Sequence, residues 1–157
     1  MTNKQFPVLY TGGTFDLFHA GHVNFLRMCR KIVGKDGWVI VSLNTDDFVK
    51  RTKGVTTLPY KDRYQVVSSC RYVDMVVCNT GGEDSKPAIL EAGAAVGGVD
   101  FIAIGTDWAC KDYYAQMMFT PEWLNAQGTI LIYLPYDPHI SSSTIRRNLR
   151  NTSETAQ

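Results

Sequence analysis

Strand-length apolar runs alternate with helix-length segments along the chain, which predicts an α/β protein. Those runs are continuously apolar rather than alternating, as in Trp38–Leu43 (WVIVSL), so both faces of each strand are expected to be buried. A length of 157 residues sets a single domain. Together these observations predict one Rossmann-like α/β domain, with a parallel sheet of about five strands and helices on both faces.

Residues 6–10 form the first apolar run, which ends at Thr11-Gly12-Gly13. Val23, Leu26, Cys29 and Val33 then recur at helical spacing. Trp38–Leu43 is the next strand. Residues 63–70, after Pro59, read as a helix, and 73–78 as a strand. Lys86-Pro87 opens an Ala-rich helix over 88–96. Residues 101–104 form a strand ending at Gly105, and 129–134 the last strand, stopped by Pro135. The closing helix covers 143–150, with serines in front as caps. The polar stretch 151–157 is expected to fray, so the domain is drawn at 1–150 with a tail beyond it.

Composition excludes several classes. Hydrophobic residues at 45% and charged residues at 20% describe a globular chain, not a disordered one. Sixteen basic against fifteen acidic residues leave +1, too little for a broad nucleic-acid face but compatible with a local anion pocket. No apolar run approaches the ~20 residues of a membrane helix. The opening Met1-Thr2-Asn3-Lys4-Gln5 lacks the apolar core of a secretory signal. A cytoplasmic protein without membrane insertion is expected. Cys29, Cys70, Cys78 and Cys110 form no C-x-x-C pair and fit no zinc template, so they read as reduced structural thiols.

Ligands of such sheets sit outside the carboxyl ends of the strands. Four polar segments fall there, after Tyr10, Leu43, Ile104 and Leu134: GGTFDLFHAGH, NTDDFVKRTKG, GTDWACK and PYDPHISSST. In the first, glycines let backbone N–H groups approach a phosphate. The helix that follows adds free donors and the positive end of its dipole. His19 and His22 lie three apart at that helix start, so both rings can face one anion. There they can donate to oxygens that gain charge in a transition state. Gly21 between them is expected to leave room for a nucleotide. A protein metal site is not expected, because the pair has no evident third and fourth ligand.

The stretch Thr14-Phe15-Asp16-Leu17-Phe18-His19-Ala20-Gly21-His22 resembles the G-T-F-D-x-x-H-x-G-H signature of the cytidylyltransferase family. Its H-x-G-H element is shared with the wider nucleotidyltransferase superfamily. Lys53-Gly54, Arg63-Tyr64 and Cys70-Arg71-Tyr72-Val73-Asp74 resemble the family's K-G, E-R-Y and R-Y-V-D blocks in order and spacing. Gly105-Thr106-Asp107-Trp108 resembles G-D-D-W, and Ile140-Ser141-Ser142-Ser143 resembles the closing I-S-T-T. The resemblance runs from Val8 to about Leu149, and the chain is similar in length to the short bacterial glycerol-3-phosphate enzymes of that family.

This resemblance implies a nucleotidyltransferase that binds CTP with Mg²⁺ and acts as a homodimer. The phosphate of a small alcohol, glycerol 3-phosphate being favoured, would attack the α-phosphorus in line and release pyrophosphate. Catalysis would be positioning and charge stabilisation. His19 and His22 would bind the α-phosphate. Lys53, on a Gly-Val-Thr-Thr loop able to close, would contact the reacting phosphates. Arg63 would hold a phosphate of acceptor or nucleotide. Gly13, Thr14 and Phe15 would line the nucleotide. Asp107 would contact base, ribose or metal, or else cap a helix. Ile140, Ser141, Ser142 and Ser143 would receive the outer phosphates at a helix start, with Arg146 or Arg147 assisting. Arg71 reads as structural or interfacial.

The ending departs from the pattern. Tyr136-Asp137-Pro138-His139 stands where the family reads R-T-E-G, and I-S-S-S-T-I-R is more like pantetheine-phosphate and nicotinate-mononucleotide adenylyltransferases. An adenylyltransferase using ATP is therefore the first alternative. A non-catalytic nucleotide-binding module, suggested by the missing arginine and by Thr106, is the second. Trp108, Tyr113, Tyr114 and Trp123 offer either an aromatic cage for a choline acceptor or plain core.

Overall fold

The computed structural model describes residues 5–155; the opening four residues and the last two of the expected tail lie outside the described residues. Five strands form one parallel sheet: β1 (Val8–Gly13), β2 (Trp38–Leu43), β3 (Met75–Cys78), β4 (Phe101–Gly105) and β5 (Ile130–Leu134), in the order β3-β2-β1-β4-β5. Strand residues alternate between two cores, because successive side chains leave a strand on opposite faces. Val8, Tyr10, Ile40, Ile102 and Ile104 share one face with Ile89, Ala92, Phe119 and Leu124. Leu9, Val39, Val41, Leu43 and Ala103 share the other with Leu26, Cys29, Val33 and Val67.

The helices that supply these partners are α1 (Ala20–Val33), α2 (Asp46–Thr52), α3 (Tyr60–Ser68), α4 (Lys86–Ala94), α5 (Tyr113–Met117), α6 (Pro121–Gln127) and α7 (Ser142–Thr155). A 3₁₀ turn, Thr106–Trp108, follows β4. α1 and α3 cover one face of the sheet, and α4, α5 and α6 the other. Three short helices exceed the sequence expectation. Each is fixed by a cap rather than by periodicity: the side chains of Thr45, Asp112 and Thr120 accept the N–H groups of Phe48, Ala115 and Trp123. α7 also continues through Thr155, past the expected end at Arg150.

β1 runs in register with β2 over its whole length, but it pairs with β4 only at Leu9 and Tyr10. The strands part beyond that point. Chain order reverses here, so a crevice opens at the carboxyl ends of β1 and β4. All four cysteines are free thiols, and burial pushes the Cys29 thiol up to about 12. Among the described residues no helix is long and apolar enough to cross a membrane.

Candidate active site

After Gly13 the chain turns through a loop in which Phe15 and Leu17 lie at φ 50° and 47°. Non-glycine residues stay in that region only where the surroundings hold them. Asp16 does the holding. Its buried carboxylate accepts the N–H groups of Leu17 (3.1 Å), Thr57 (2.7 Å) and Leu58 (3.0 Å), and Arg146 Nη1 donates to it from α7 (2.9 Å). The Ser142 hydroxyl donates to the Asp16 carbonyl. Burial alone would raise the Asp16 carboxyl, but the Thr57 and Leu58 donors and Arg146 outweigh it and hold it below the usual range. Asp16 is absent from the sequence-based candidates. Its signals were its place as the acid of the T-F-D stretch and its setting among Phe15, Leu17 and Phe18.

Arg63 corrects an expectation. Its side chain is fully buried. Nε donates to Leu58 O (3.1 Å), Nη1 to Thr14 O (2.7 Å), and Nη2 to both Asn44 O (2.9 Å) and the Asp46 carboxylate (2.6 Å). A guanidinium spent on four protein acceptors and closed to solvent has nothing to offer a substrate phosphate. Arg63 is a clamp joining the first loop to the end of β2 and the start of α2, not a phosphate ligand. An arginine one turn into a helix looks free in sequence; only the tertiary packing encloses it.

His19 is the N-cap of α1. Its Nδ1 accepts the Gly21 N–H (3.1 Å), and His22 Nδ1 accepts the His19 N–H (3.3 Å). With Nδ1 accepting, each neutral ring carries its proton on Nε2. The rings stack with centroids 3.9 Å apart. Burial, reinforced by His19 and opposed by Asp16, pushes His22 down to about 4. Burial also lowers His19, against the pull of Asp137. Both rings are neutral at pH 7, and the pair offers two Nε2–H donors. Gly21 serves a purpose other than nucleotide room. A Cβ there would lie 2.9 Å from His19 Cε1 and 3.2 Å from Ile140 Cγ2. The glycine lets the His19 ring fold back over the helix start.

Three chambers adjoin here: both histidines line the first, His22 alone lines the second, and neither lines the third. The first, about 270 Å³, lies between the ends of β1 and β4 and the loop after β5. It brings together Gly13, Thr14, Phe15, His19, His22, Asp107, Ile140, Ser141 and Ser142. The second, about 310 Å³, shares Thr14, Phe15, His22 and Ser142 with the first and adds Lys53, Ser143 and Arg146. The third, about 170 Å³, shares Gly12, Gly13, Ile104 and Trp108 with the first and adds Ser42, Asn44, Asn79 and Tyr113. Lys53 lines the second and third chambers, not the first. The residue is exposed overall, yet desolvation at the chamber walls lowers its ammonium while Asp107 opposes the shift.

Asp107 sits in the 3₁₀ turn and caps no long helix; Asp112 caps α5 instead. Ser141 Oγ accepts the Thr144 N–H (3.1 Å) and so caps α7, while Arg146 is held by Asp16 and Arg147 is exposed. The four aromatics do not gather into a cage. Tyr114 and Trp123 pack on Phe119 in the core, and Trp108 and Tyr113 line the third chamber. Arg71 is exposed and lies 5.9 Å from the Tyr72 ring, and Asp74 ties Arg30 to the Val39 N–H. Among the described residues no cluster of three or more His, Cys, Asp or Glu side chains is arranged to hold a metal ion.

A cytidylyltransferase-like family model matches residues 10–148. The glycerol-3-phosphate cytidylyltransferase of Bacillus subtilis is 27% identical over 139 residues, covering 88% of this chain and 94% of that protein. The FAD synthase of Pyrococcus horikoshii is 38% identical over 104 residues, covering 64% of this chain and 65% of that protein. The matched part thus spans less than two thirds of that synthase's own length. Among solved structures, the lipopolysaccharide core biosynthesis protein of Thermoplasma volcanium superposes with a TM-score of 0.62 at 18% identity, over 86% of this chain and 99% of that one. TmcAL of Thermotoga maritima, bound with alpha-thio ATP, gives 0.63 at 14% identity, over 94% of this chain and 51% of that one. Those two likenesses show the same fold. The family match over nearly the whole chain places it: the protein belongs to the cytidylyltransferase-like family.

Proposed function

We propose that the protein is a nucleotidyltransferase that moves a cytidylyl group from CTP to the phosphate of a small alcohol, with glycerol 3-phosphate the favoured acceptor. The observation that carries this reading is the stacked His19–His22 pair, with both Nε2–H groups uncommitted at the first chamber. The nucleoside occupies the first chamber. Its triphosphate extends into the second, toward Lys53, Ser143 and the start of α7. The acceptor's phosphate oxygen attacks the α-phosphorus. The bond to the bridging oxygen of the β-phosphate breaks, and its electrons leave with pyrophosphate. His19 and His22 donate to the oxygens on which charge grows, and no side chain becomes covalently attached.

Mg²⁺ would enter as a companion of the nucleotide. It would supply charge neutralisation, held by phosphate oxygens and water. A homodimer and a cytoplasmic site of action belong to the same reading.

The match to the Bacillus subtilis cytidylyltransferase, over 88% of the chain, supports CTP. A second reading, adenylyl transfer from ATP, is favoured by the 38% identity to an FAD synthase. The absence of an arginine before Ile140 favours it as well. Pyrophosphate release with glycerol 3-phosphate and either CTP or ATP tests the reading. Release with CTP alone is expected. Release with ATP alone would move the assignment to adenylyl transfer. No release and no nucleotide binding would refute both.

A further inference from the structure

The third chamber contains buried polar atoms that the fold leaves unpaired. Among the described residues, Asn79 Oδ1, the Tyr113 hydroxyl and the Ser42 hydroxyl are buried without a hydrogen-bond partner. All three residues line this chamber. Native folds satisfy nearly all such atoms, so each exception asks for a ligand or water. Tyr113 is 2% exposed, which keeps bulk solvent from its hydroxyl. The Asn79 amide has a fixed orientation: Nδ2 donates to Asn44 Oδ1 (2.9 Å) and Gly82 O (3.1 Å), so Oδ1 is the face left over. Ser42, 1% exposed, adds a hydroxyl to the same wall. Two further polar side chains of the wall are already paired. Ser85 donates to Met117 O (2.5 Å), and Glu83 pairs with Arg51 (3.3 Å). Lys53 is the cation of the chamber.

We propose that this chamber reads the hydroxyls of a polyol phosphate, with Tyr113 donating to one hydroxyl and Asn79 Oδ1 accepting from its neighbour, while Lys53 faces the phosphate. The inference rests on the nucleotidyl-transfer reading and names the acceptor class of that same site. A trimethylammonium head carries no O–H or N–H, so it would leave both protein atoms unpaired. A polyol end satisfies one donor and one acceptor together. Sites built to bond a substrate hydroxyl reject analogues that lack it far better than apolar pockets reject an added group.

The test compares glycerol 3-phosphate with its two singly deoxygenated analogues in the wild type and in Tyr113→Phe. Labelled CTP and ATP binding is measured on the same preparations by equilibrium dialysis. The wild type is expected to prefer the full polyol by about tenfold or more in kcat/KM. Tyr113→Phe should lose about tenfold on glycerol 3-phosphate and little on the analogue lacking the hydroxyl that Tyr113 reads. Its Tm should hold or rise, because the substitution deletes an orphaned hydroxyl. A purely structural Tyr113 would lower Tm and scale all three acceptors alike, which would overturn the proposal. Equal wild-type rates for the three acceptors would overturn it too, as would no turnover with any polyol phosphate; bound nucleotide would leave the transfer reading standing in both cases. Absence of nucleotide binding would refute the transfer reading itself, and this inference with it.

Discussion

The two sides of the crevice treat buried polar atoms in opposite ways. On the histidine side, Asp16 accepts from Leu17, Thr57, Leu58 and Arg146, and Arg63 donates to four acceptors. On the Tyr113 side, the hydroxyl of that residue and Asn79 Oδ1 stand without partners. The saturated side carries the unfavourable backbone, with Phe15 and Leu17 at positive φ. A fully satisfied polar network can hold such a loop rigid, whereas a partly satisfied one cannot. The unsaturated side has one such residue, Met118 at φ 56° in the cap of α5, and keeps its capacity for a ligand. The histidines stand at the border, with Nδ1 committed to the backbone and Nε2 free. Scaffold and recognition are thus separable in this molecule by asking which polar atoms already have partners.

Removing the clamp should produce the largest effect. Arg63→Met takes the guanidinium from the carbonyls of Thr14, Asn44 and Leu58 and from the Asp46 carboxylate. Leaving those carbonyls unpaired costs about 1–3 kcal/mol each, while the Asp46 carboxylate, 45% exposed and still bonded by the Tyr60 N–H, is rehydrated. The urea midpoint should fall accordingly, and Arg63→Lys should not restore it, since an ammonium cannot span a planar fork of acceptors. A wild-type midpoint with a raised KM would instead make Arg63 a ligand, and the contrast between the two sides would collapse.

The border residues come next. His19→Ala or His22→Ala should lower kcat by about 10²–10³, the usual loss for one transition-state donor. Stability should fall by only about 1 kcal/mol, the typical worth of a helix cap. Turnover and a thermal melt on the same sample separate the two quantities. Near-full turnover in either variant would move that histidine wholly to the scaffold side.

Much of this arrangement was legible in the sequence, for identifiable reasons. The continuous apolar strands gave the sheet, since burial on both faces leaves a one-dimensional trace. The segments that line the first chamber were legible because loops at the carboxyl ends of parallel strands converge by topology, whereas the parts assigned to most of their individual residues came from the family resemblance. What the sequence hid was pairing. Arg63 and Lys53 are both cations beside polar loops, and nothing local says that one is enclosed and the other lines two chambers. Asp16 was hidden for the same reason, because its partners Thr57, Leu58 and Arg146 lie 41, 42 and 130 residues away. Asn79 and Tyr113 were hidden more deeply still: an atom without a partner shows only after every other atom has found one.

The smallest effect separates the border from the clamp by pH. His22 titrates near 4 in the fold against its ordinary 6.5, chiefly through burial. As pH falls, the unfolded chain therefore takes up its proton first, and acid favours unfolding. The stability that depends on neutral His22 is complete above about 6.5 and drains away between there and about 4. His19, also lowered, acts in the same sense. Asp16 and Asp46 are carboxyls held below their ordinary 3.8, so their contribution is intact throughout that window and is lost only at lower pH. Two separate declines in Tm are expected: a shallow one between about pH 6.5 and 4, and a steeper one below it. His22→Asn keeps an acceptor for the His19 N–H but cannot titrate, so it should flatten the first decline and leave the second. If the variant declines in the upper window as the wild type does, His22 is not held neutral by its surroundings. The border would then have to be redrawn with that ring open to solvent.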